Sequence, residues 1–299
     1  MRAVVAFALG FVALSAGCGR SDKSESAARH FETRGIVRGF APDRSTIDIE
    51  HEAIPGFMSS MTMPFTPLDR KEIASLTLRD AIAFRLNVTA RDSWIDQIKK
   101  IDPAQVQLPP RKTETAATIQ PTDRLRAGDS MPPFELTNQD GETITLETMR
   151  GRPFLLTFIF TRCPIPNFCP LMTRHFAELQ EAIRSGTGAL AKTRLLSISF
   201  DPENDTPAVL REQAQHENAD PLIWIFATGA PAQIKAVTER FSVLVQPEAG
   251  TISHSLATAL VDADGRIVEI WRGNGWKPEE VLSRVAKLEA SPTPQATQK

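Results

Sequence analysis

Two different patterns of apolar and polar residues follow one another along the chain. Between residues 31 and 101, apolar residues alternate with polar ones over short runs such as 45–50 and 81–89. That alternation is typical of half-buried β-strands. About seventy residues of such strands predict a small all-β domain that forms a barrel.

From about residue 125 the pattern changes to strands that alternate with helices. A strand, a turn and a second strand at 134–146 precede a wholly apolar run at 154–160, and a helical segment follows at 171–183. The remaining predicted elements are strands at 194–200 and 222–226, helices at about 207–217 and 231–240, a hairpin at 255–271 and a final helix at 275–288. A β-α-β half followed by a β-β-α half predicts an α/β domain of thioredoxin-like form.

The N-terminus has the features of an export signal. Arg2 precedes an apolar run at 3–16 that is too short to span a bilayer comfortably. Residues 14–18 resemble a bacterial lipobox, in which Cys18 becomes the lipidated N-terminus; the alternative is a secretory signal cleaved near Ala16. Either reading places the mature protein outside the cytoplasm: the first as a lipoprotein anchored to a membrane in the periplasm, the second as a secreted protein.

These patterns divide the chain into two domains with connecting segments. The predicted parts are a lipoprotein signal peptide (1–18), a tether (19–30), the β-barrel (31–101), a linker (102–124), the thioredoxin-like domain (125–290) and a disordered tail (291–299). Hydrophobic residues make up 41% and charged residues 23% of the chain, as in a globular protein, and the net charge is −2. Because acids and bases balance, the charge gives no reason to expect a nucleic-acid partner.

Two cysteines, Cys163 and Cys169, lie where the apolar strand meets the following helix. A helix N-terminus favours the thiolate, which is the form that attacks disulfides and binds soft metals. Four roles remain open for this pair: a structural disulfide, a redox couple, a metal site, or a peroxidase nucleophile that would need only one of the two. Five residues separate the cysteines, which leaves room for both sulfurs to face a third ligand.

His254 is the candidate for that third ligand. It precedes the predicted hairpin, in a loop that packs beside the cysteine loop in thioredoxin-like folds. Two thiolates and one imidazole suit copper as Cu(I) or Cu(II). The same residues could hold zinc, although structural zinc usually has four protein ligands.

Residues 125–290 resemble the Sco/SenC proteins, thioredoxin-like copper chaperones that assemble the copper A centre of cytochrome c oxidase. The shared motifs are residues 158–163, Cys169–Pro170, residues 199–207 and His254 ahead of 261–265. The resemblance implies copper ligation by Cys163, Cys169 and His254, with the copper-bearing oxidase subunit as client. Asp201 matches an acidic position near that site, where a turn or helix-cap role is the alternative. The family usually separates its cysteines by three residues rather than five.

A second candidate site lies in the first domain. Met61 and Met63 are two residues apart, so on a strand both side chains point to one face, and His51 ends the preceding strand. Thioether sulfur suits Cu(I), although methionines also fill apolar cores. Residues 31–101 resemble the CusF-type periplasmic copper-binding domain, a small OB-like barrel that binds Cu(I) through a histidine and two methionines under a tryptophan. Met58 stands near the position of that tryptophan, as a fourth ligand or a lid.

Together the two soft-ligand sets predict a membrane-tethered copper chaperone whose copper transfer requires no chemical turnover and depends on a periplasmic thiol reductant. A thiol–disulfide oxidoreductase that keeps the client's cysteines reduced is the main alternative, and a copper-resistance buffer is another. A peroxidase would leave both the histidine and the first domain unexplained. The remaining histidines, His30, His175 and His216, have no evident partners and are expected at the surface.

Overall fold

A computed structural model of the protein describes residues 28–109, 124–248 and 251–288. The predicted signal peptide with Cys18, residues 19–27 of the tether, most of the linker and the tail beyond residue 288 lie outside these ranges. Within the described ranges, none of the helices combines the length and the apolar character needed to cross a membrane.

The first domain, here called the β domain (residues 28–109), is a single antiparallel sheet. Its strands are β1 (Arg29–Phe40), β2 (Ile47–His51), β3 (Met61–Phe65), β4 (Ala81–Val88) and β5 (Ser93–Lys100), in the order β3-β2-β1-β4-β5. The predicted alternation is visible in β2, where Ile47, Ile49 and His51 are buried while the residues between them are partly exposed. Two short 3₁₀ turns, Arg70–Ile73 and Pro103–Gln105, complete the domain.

The sheet of the β domain is open rather than closed into the predicted barrel. β3 and β5 are its edge strands, and a single bridge between Pro67 and Ile95 links the segment after β3 to β5. There the amide of Ile95 donates to the Thr66 carbonyl at 2.9 Å. Pro64 and Pro67 have no amide hydrogen to donate, so a continuous ladder between the two edges cannot form.

The second domain, residues 124–288, contains a seven-stranded sheet in the order β14-β13-β8-β9-β10-β6-β7. Its strands, with the small hairpin β11–β12, are β6 (Glu135–Asn138), β7 (Thr143–Thr145), β8 (Phe154–Ile159), β9 (Arg194–Ser199), β10 (Trp224–Thr228), β11 (Val245–Glu248), β12 (Thr251–His254), β13 (Ala257–Val261) and β14 (Ile267–Arg272). The helices are α1 (Leu146–Met149), α2 (Cys169–Ser185), α3 (Gly188–Lys192), α4 (Pro207–His216), α5 (Pro231–Arg240) and α6 (Pro278–Leu288). β8, β9 and β10 are parallel, whereas β13 is antiparallel to β8.

This arrangement is the predicted thioredoxin-like fold. All six residues of β8 are buried, as expected for a central strand covered on both faces. Thr206 caps α4, accepting a hydrogen bond from the Val209 amide, and Pro207 occupies the first helical position. The hairpin β11–β12 was not predicted, and it places His254 at the end of a strand.

The two domains are in direct contact. Their buried apolar side chains form one continuous cluster. The amide group of Asn167, in the loop between the two cysteines, donates to the Ser93 carbonyl at 2.9 Å. At the edge of this contact, Arg174 of α2 donates to the Arg91 carbonyl at 3.1 Å. The cysteine loop is therefore the part of the thioredoxin-like domain that meets the start of β5.

Candidate metal centre

The cysteine loop joins β8 to α2 and places both sulfurs at the end of the sheet. Cys169 is the first residue of α2 and is buried, while Cys163 lies in the loop and is half-buried. A tight turn, in which the Phe168 amide donates to the Ile165 carbonyl at 3.0 Å, leads into the helix. Both cysteines are free thiols, so their sulfurs are available to a metal or to each other.

The Asp205 carboxylate anchors the start of the cysteine loop through hydrogen bonds. Its carboxylate accepts hydrogen bonds from the Thr161 amide at 3.0 Å, the Thr161 hydroxyl at 2.5 Å and the Ser199 hydroxyl at 2.6 Å. The side chain is completely buried. Because a buried carboxylate is costly without such donors, these three bonds fix the loop to the end of β9.

His254 points its imidazole at the cysteine sulfurs. Its Nδ1–H donates to the Ser255 carbonyl at 3.2 Å, which leaves Nε2 at 3.7 Å from the Sγ of Cys169. The Sγ atoms of Cys163 and Cys169 and a ring nitrogen of His254 all lie within 4.8 Å of one another. Within the described parts of the chain, this trio is the group of cysteine, histidine and carboxylate side chains close enough to share a metal ion. Three aromatic rings surround the imidazole, those of Phe160, Phe168 and Phe200.

The pKa values of the two thiols are shifted in opposite directions. Burial acts to raise the pKa of Cys163, but hydrogen bonds from the Cys169 thiol and from His254 outweigh it and hold the pKa of Cys163 well below its usual value. Burial raises the pKa of Cys169, and the neighbouring Cys163 sulfur and the Asp205 carboxylate raise it further. Of the two sulfurs, Cys163 is therefore the one that forms the thiolate more readily.

Asp201 lies beside this group and is not part of it. Its carboxylate pairs with the Arg162 guanidinium at 2.8 Å and accepts from the Asn204 amide group at 2.8 Å. Asp201 is buried, and Arg162 immediately precedes Cys163 in the chain. The contacts of Asp201 therefore orient the cysteine loop from the segment after β9.

The residues of the second candidate site are brought together on one face of the β domain. His51 and Met61 are direct partners across β2 and β3, and Met63 lies opposite Ile49 two residues further along. Direct cross-strand partners and residues two apart share a face of the sheet. The structure thus places His51, Met61 and Met63 side by side on one face of the sheet, where His51 and Met63 are buried and Met61 is partly exposed.

His51 is completely buried and has an unused ring nitrogen. Its Nδ1–H donates to the Glu52 carbonyl at 2.6 Å, and among the described residues Nε2 has no hydrogen-bond partner. Burial lowers the pKa of His51 to about 4, so the ring is neutral at physiological pH. A buried, neutral imidazole with its tautomer fixed and a free lone pair has the form of a metal ligand.

Met58 is held in a tight turn between β2 and β3. The Ile54 amide donates to the Met58 carbonyl at 2.8 Å, and the Met58 amide donates back at 3.0 Å. Gly56 in this turn has φ of 70°, a left-handed conformation that glycine adopts without strain. Phe57 stacks on Phe31 with ring centroids 4.5 Å apart, and Met58 itself is buried.

A small cavity joins the two candidate sites. It has a volume of about 20 Å³, and side chains of both domains line it. The lining residues are Met58, Met61 and Met63 from the β domain with Phe160, Cys163, Pro164, Ile165, Phe168, Ile252 and His254 from the thioredoxin-like domain. The methionine face of one domain therefore lies against the cysteine loop of the other.

The three other histidines differ in their surroundings. His30 and His216 are exposed, where they meet Asn87 and Glu217. His175, expected at the surface, is instead buried on α2 against Trp276, with ring centroids 4.6 Å apart. That expectation was wrong because the chain after β14 folds back over α2, which the sequence pattern does not show.

Some residues of the centre carry no sequence signal strong enough to identify them. Asp205 lies in the 199–207 motif, yet nothing in that run distinguishes a buried anchor from a helix-start residue. The phenylalanines around His254 read as ordinary core residues. Asn167 gains its role only from the neighbouring domain.

Comparison with known proteins matches each domain to a family. Residues 122–290 match the family described as SCO1/SenC, and residues 30–100 match the family described as copper-binding periplasmic protein CusF. The SCO1 protein homolog of Bacillus subtilis is 32% identical over 158 residues, which cover 51% of this chain and 79% of that protein. A SCO2-like protein of Rickettsia felis is 32% identical over 145 residues, 46% of this chain and 66% of that protein. The crystal structure of Arabidopsis thaliana ScoI with copper bound has 25% identity and a TM-score of 0.48, covering 55% of this chain and all of that one.

Proposed function

Because the chain belongs to the SCO1/SenC family, we propose that it is a copper metallochaperone that binds copper through Cys163, Cys169 and His254 and delivers it to the copper A site of cytochrome c oxidase. Copper is the metal named in the description of the family that residues 30–100 match. The observation that carries the proposal is the cluster of two sulfurs and one ring nitrogen within 4.8 Å. Transfer to the client would proceed by ligand exchange, which requires no chemical turnover.

The centre suits a metal that must be bound and then released. Loop anchoring by Asp205 and the fixed tautomer of His254 place the ligands before the metal arrives. One cysteine already favours the thiolate, so binding displaces a proton mainly from Cys169. Thiolate sulfur favours Cu(I), and the imidazole is acceptable to either oxidation state of copper.

The β domain supplies a second copper site in this proposal. His51 Nε2 and the thioethers of Met61 and Met63 are neutral, soft ligands that suit Cu(I). The orphaned, buried nitrogen of His51 supports a ligand role over simple core packing, since an unpaired buried polar atom is costly. The domain would acquire or buffer Cu(I) outside the cytoplasm.

The proposed location is the periplasm, with Cys18 as a lipid anchor to the membrane. Support comes from the apolar run at 3–16 after Arg2, which is typical of an export signal, and from the match of residues 30–100 to a family described as periplasmic. Two free thiols in an oxidising compartment also call for a thiol reductant as partner, because only the reduced pair can bind copper.

A second function has one observation in its favour. The asymmetric thiol pair, with a thiolate at the half-buried Cys163, also suits attack on a disulfide. The Cys163 thiolate would attack one sulfur of a client disulfide, forming a mixed disulfide and releasing the other client sulfur. Cys169 would then attack the Cys163 sulfur and release the client sulfur that was still bound. The client gains two electrons and two protons, and Cys163 and Cys169 are left joined as a disulfide. In that role His254 would be dispensable as a ligand.

One experiment separates the two functions. The soluble chain from Arg20 is reduced, Cu(II) is added without oxygen, and thiolate-to-copper charge-transfer absorption is recorded for wild type, His254→Ala and the control His216→Ala. We expect a band in wild type and in the control that is lost or strongly shifted in His254→Ala. Rapid oxidation to a disulfide without a band, equal in all three proteins, would overturn the chaperone proposal in favour of the oxidoreductase.

A further inference from the structure

The two candidate copper sites are not separate places on the molecule, since they border the same cavity. Met58, Met61 and Met63 line it from the β domain, and Cys163 and His254 line it from the thioredoxin-like domain. His51 adjoins it as the cross-strand neighbour of Met61. The sequence gives no reason to expect this, because about a hundred residues separate the two ligand sets.

The cavity has the size and lining for one metal ion. Its volume of about 20 Å³ holds one water-sized sphere, for which roughly 10–15 Å³ is needed. Methionines that merely filled a core gap would close it, because the flexible thioether side chain adapts to irregular space. Here three of them leave a gap open beside the cysteine loop.

The protein also holds the two domains in place at this cavity. Asn167 lies between the two cysteines and donates to the Ser93 carbonyl at 2.9 Å. Ile165 and Phe168 of the same loop line the cavity itself. The long cysteine loop thus contains Cys163 and also forms the surface that faces the methionines across the cavity.

We propose that Cu(I) passes directly from His51, Met61 and Met63 to Cys163, Cys169 and His254 through this cavity, with Met58 as a bridging ligand. The inference rests on the proposed copper binding at both sites. Copper stays Cu(I) throughout: a bond to a thioether breaks as a bond to a thiolate forms, no electron is transferred, and the Cys169 proton leaves to the buffer. Anionic thiolates hold Cu(I) more strongly than neutral thioethers, so the direction is from the β domain to the cysteines.

Each ligand set is first tested alone in the full soluble chain. Cys163→Ser/Cys169→Ser leaves the methionine set, and His51→Ala leaves the cysteine set. Competition titration with a Cu(I) chelator then gives one bound Cu(I) for each variant. Failure of either variant to bind would remove the proposed function of that site, and the transfer inference with it.

Transfer is measured by stopped-flow absorption after Cu(I) is delivered to the reduced wild-type chain. We expect thiolate–Cu(I) absorption to appear in a first-order phase whose rate does not depend on protein concentration or on excess chelator. Met58→Leu slows this phase by about tenfold or more, as expected when a ligand on the path is lost. Met149→Leu changes another buried methionine, away from the cavity, and leaves the rate unchanged.

Mixing two variants distinguishes copper transfer within one molecule from transfer between molecules. Cu(I)-loaded Cys163→Ser/Cys169→Ser chain is mixed with empty His51→Ala chain, so that copper can move only between molecules. This transfer should be slower than in wild type and should depend on concentration. If both variants bind Cu(I), yet the wild-type phase depends equally on concentration or is abolished by chelator, the inference is overturned while the two copper sites stand. Asn167→Ala, which loosens the contact between the domains, tests the same route if Met58→Leu does not fold.

Discussion

The Nε2 atom of His254 lies 3.7 Å from the Sγ of Cys169 because the opposite nitrogen of the ring is bound to the Ser255 carbonyl. This backbone contact fixes the tautomer, so the lone pair or the second proton of the ring is always presented to the sulfurs. A residue at the end of β12 therefore completes a site that begins with β8 and α2.

The two thiols should react at different rates. Hydrogen bonds from Cys169 and His254 lower the pKa of Cys163 against the effect of burial, whereas burial and the Cys163 sulfur raise the pKa of Cys169. We expect iodoacetamide to alkylate Cys163 first at neutral pH, and its rate to persist below the pH at which an ordinary thiol stops reacting. Mass spectrometry of peptides after timed quenching measures both sites.

The Cys169→Ser variant is the control for this difference. It keeps a hydroxyl that can donate to the thiolate, so Cys163 should keep its alkylation rate and pH profile, while Cys169→Ala should shift the pH profile of Cys163 upward. Equal alkylation rates for the two cysteines in the wild-type protein would contradict the assignment of the thiolate to Cys163.

Asp205→Asn should weaken both the fold and the metal centre. The change removes the charge that accepts three hydrogen bonds from Thr161 and Ser199 in a fully buried position. We expect a loss of about 2–3 kcal/mol in the free energy of unfolding, measured by urea denaturation, and weaker Cu(I) binding by the cysteine set. Asp264→Asn, at an exposed turn, is the matched control and should change neither quantity.

The strands and the main ligands follow from local sequence, but the relation between the domains does not. Alternation predicts β2, and the Thr206–Pro207 pair predicts the start of α4, because each depends on neighbouring residues. The pairing of Met61 with His51 also follows from strand geometry once both lie on a hairpin. The cavity depends on how two separate surfaces dock, and no periodicity encodes that.

The predicted barrel is a second case in which local sequence does not determine how distant parts of the chain pair. The strands at 45–50 and 81–89 follow from local alternation, whereas closure depends on hydrogen bonds between the two edges of the sheet. Pro64 and Pro67 remove donors from the edge that would have to pair, and only the bridge at Ile95 remains. Prolines in a predicted edge strand therefore indicate that the sheet does not close. The alternation of apolar and polar residues predicts the strands but carries no information about this closure.

Gly35→Ala should disturb the methionine site without touching a ligand. A Cβ at Gly35 would lie 2.5 Å from the Ile49 side chain and 2.6 Å from the Glu50 carbonyl, so β2 must shift, and Gly35 is the register partner of His51. We expect a loss of about 2 kcal/mol in the free energy of unfolding and weaker Cu(I) binding at the β domain.

Gly39→Ala is its matched control in the same strand. There the added Cβ meets only the side chain of Asp48, at 2.5 Å, which can turn away. Chelator titration of both variants in the Cys163→Ser/Cys169→Ser background isolates the methionine site. Equal Cu(I) affinity in the two glycine variants would show that the position of β2 does not govern this site.

Acid should destabilise the protein through His51. Burial lowers the pKa of His51 in the folded state from 6.5 to about 4, so between these values the unfolded chain binds the additional proton. The free energy of unfolding therefore falls as pH decreases from 6.5 to about 4, by up to about 3 kcal/mol from this residue, and levels off below. His175, whose pKa burial also lowers to about 4, contributes in the same direction. Urea denaturation of wild type and His51→Gln across this range measures the difference in slope, and parallel curves would contradict a neutral, buried His51.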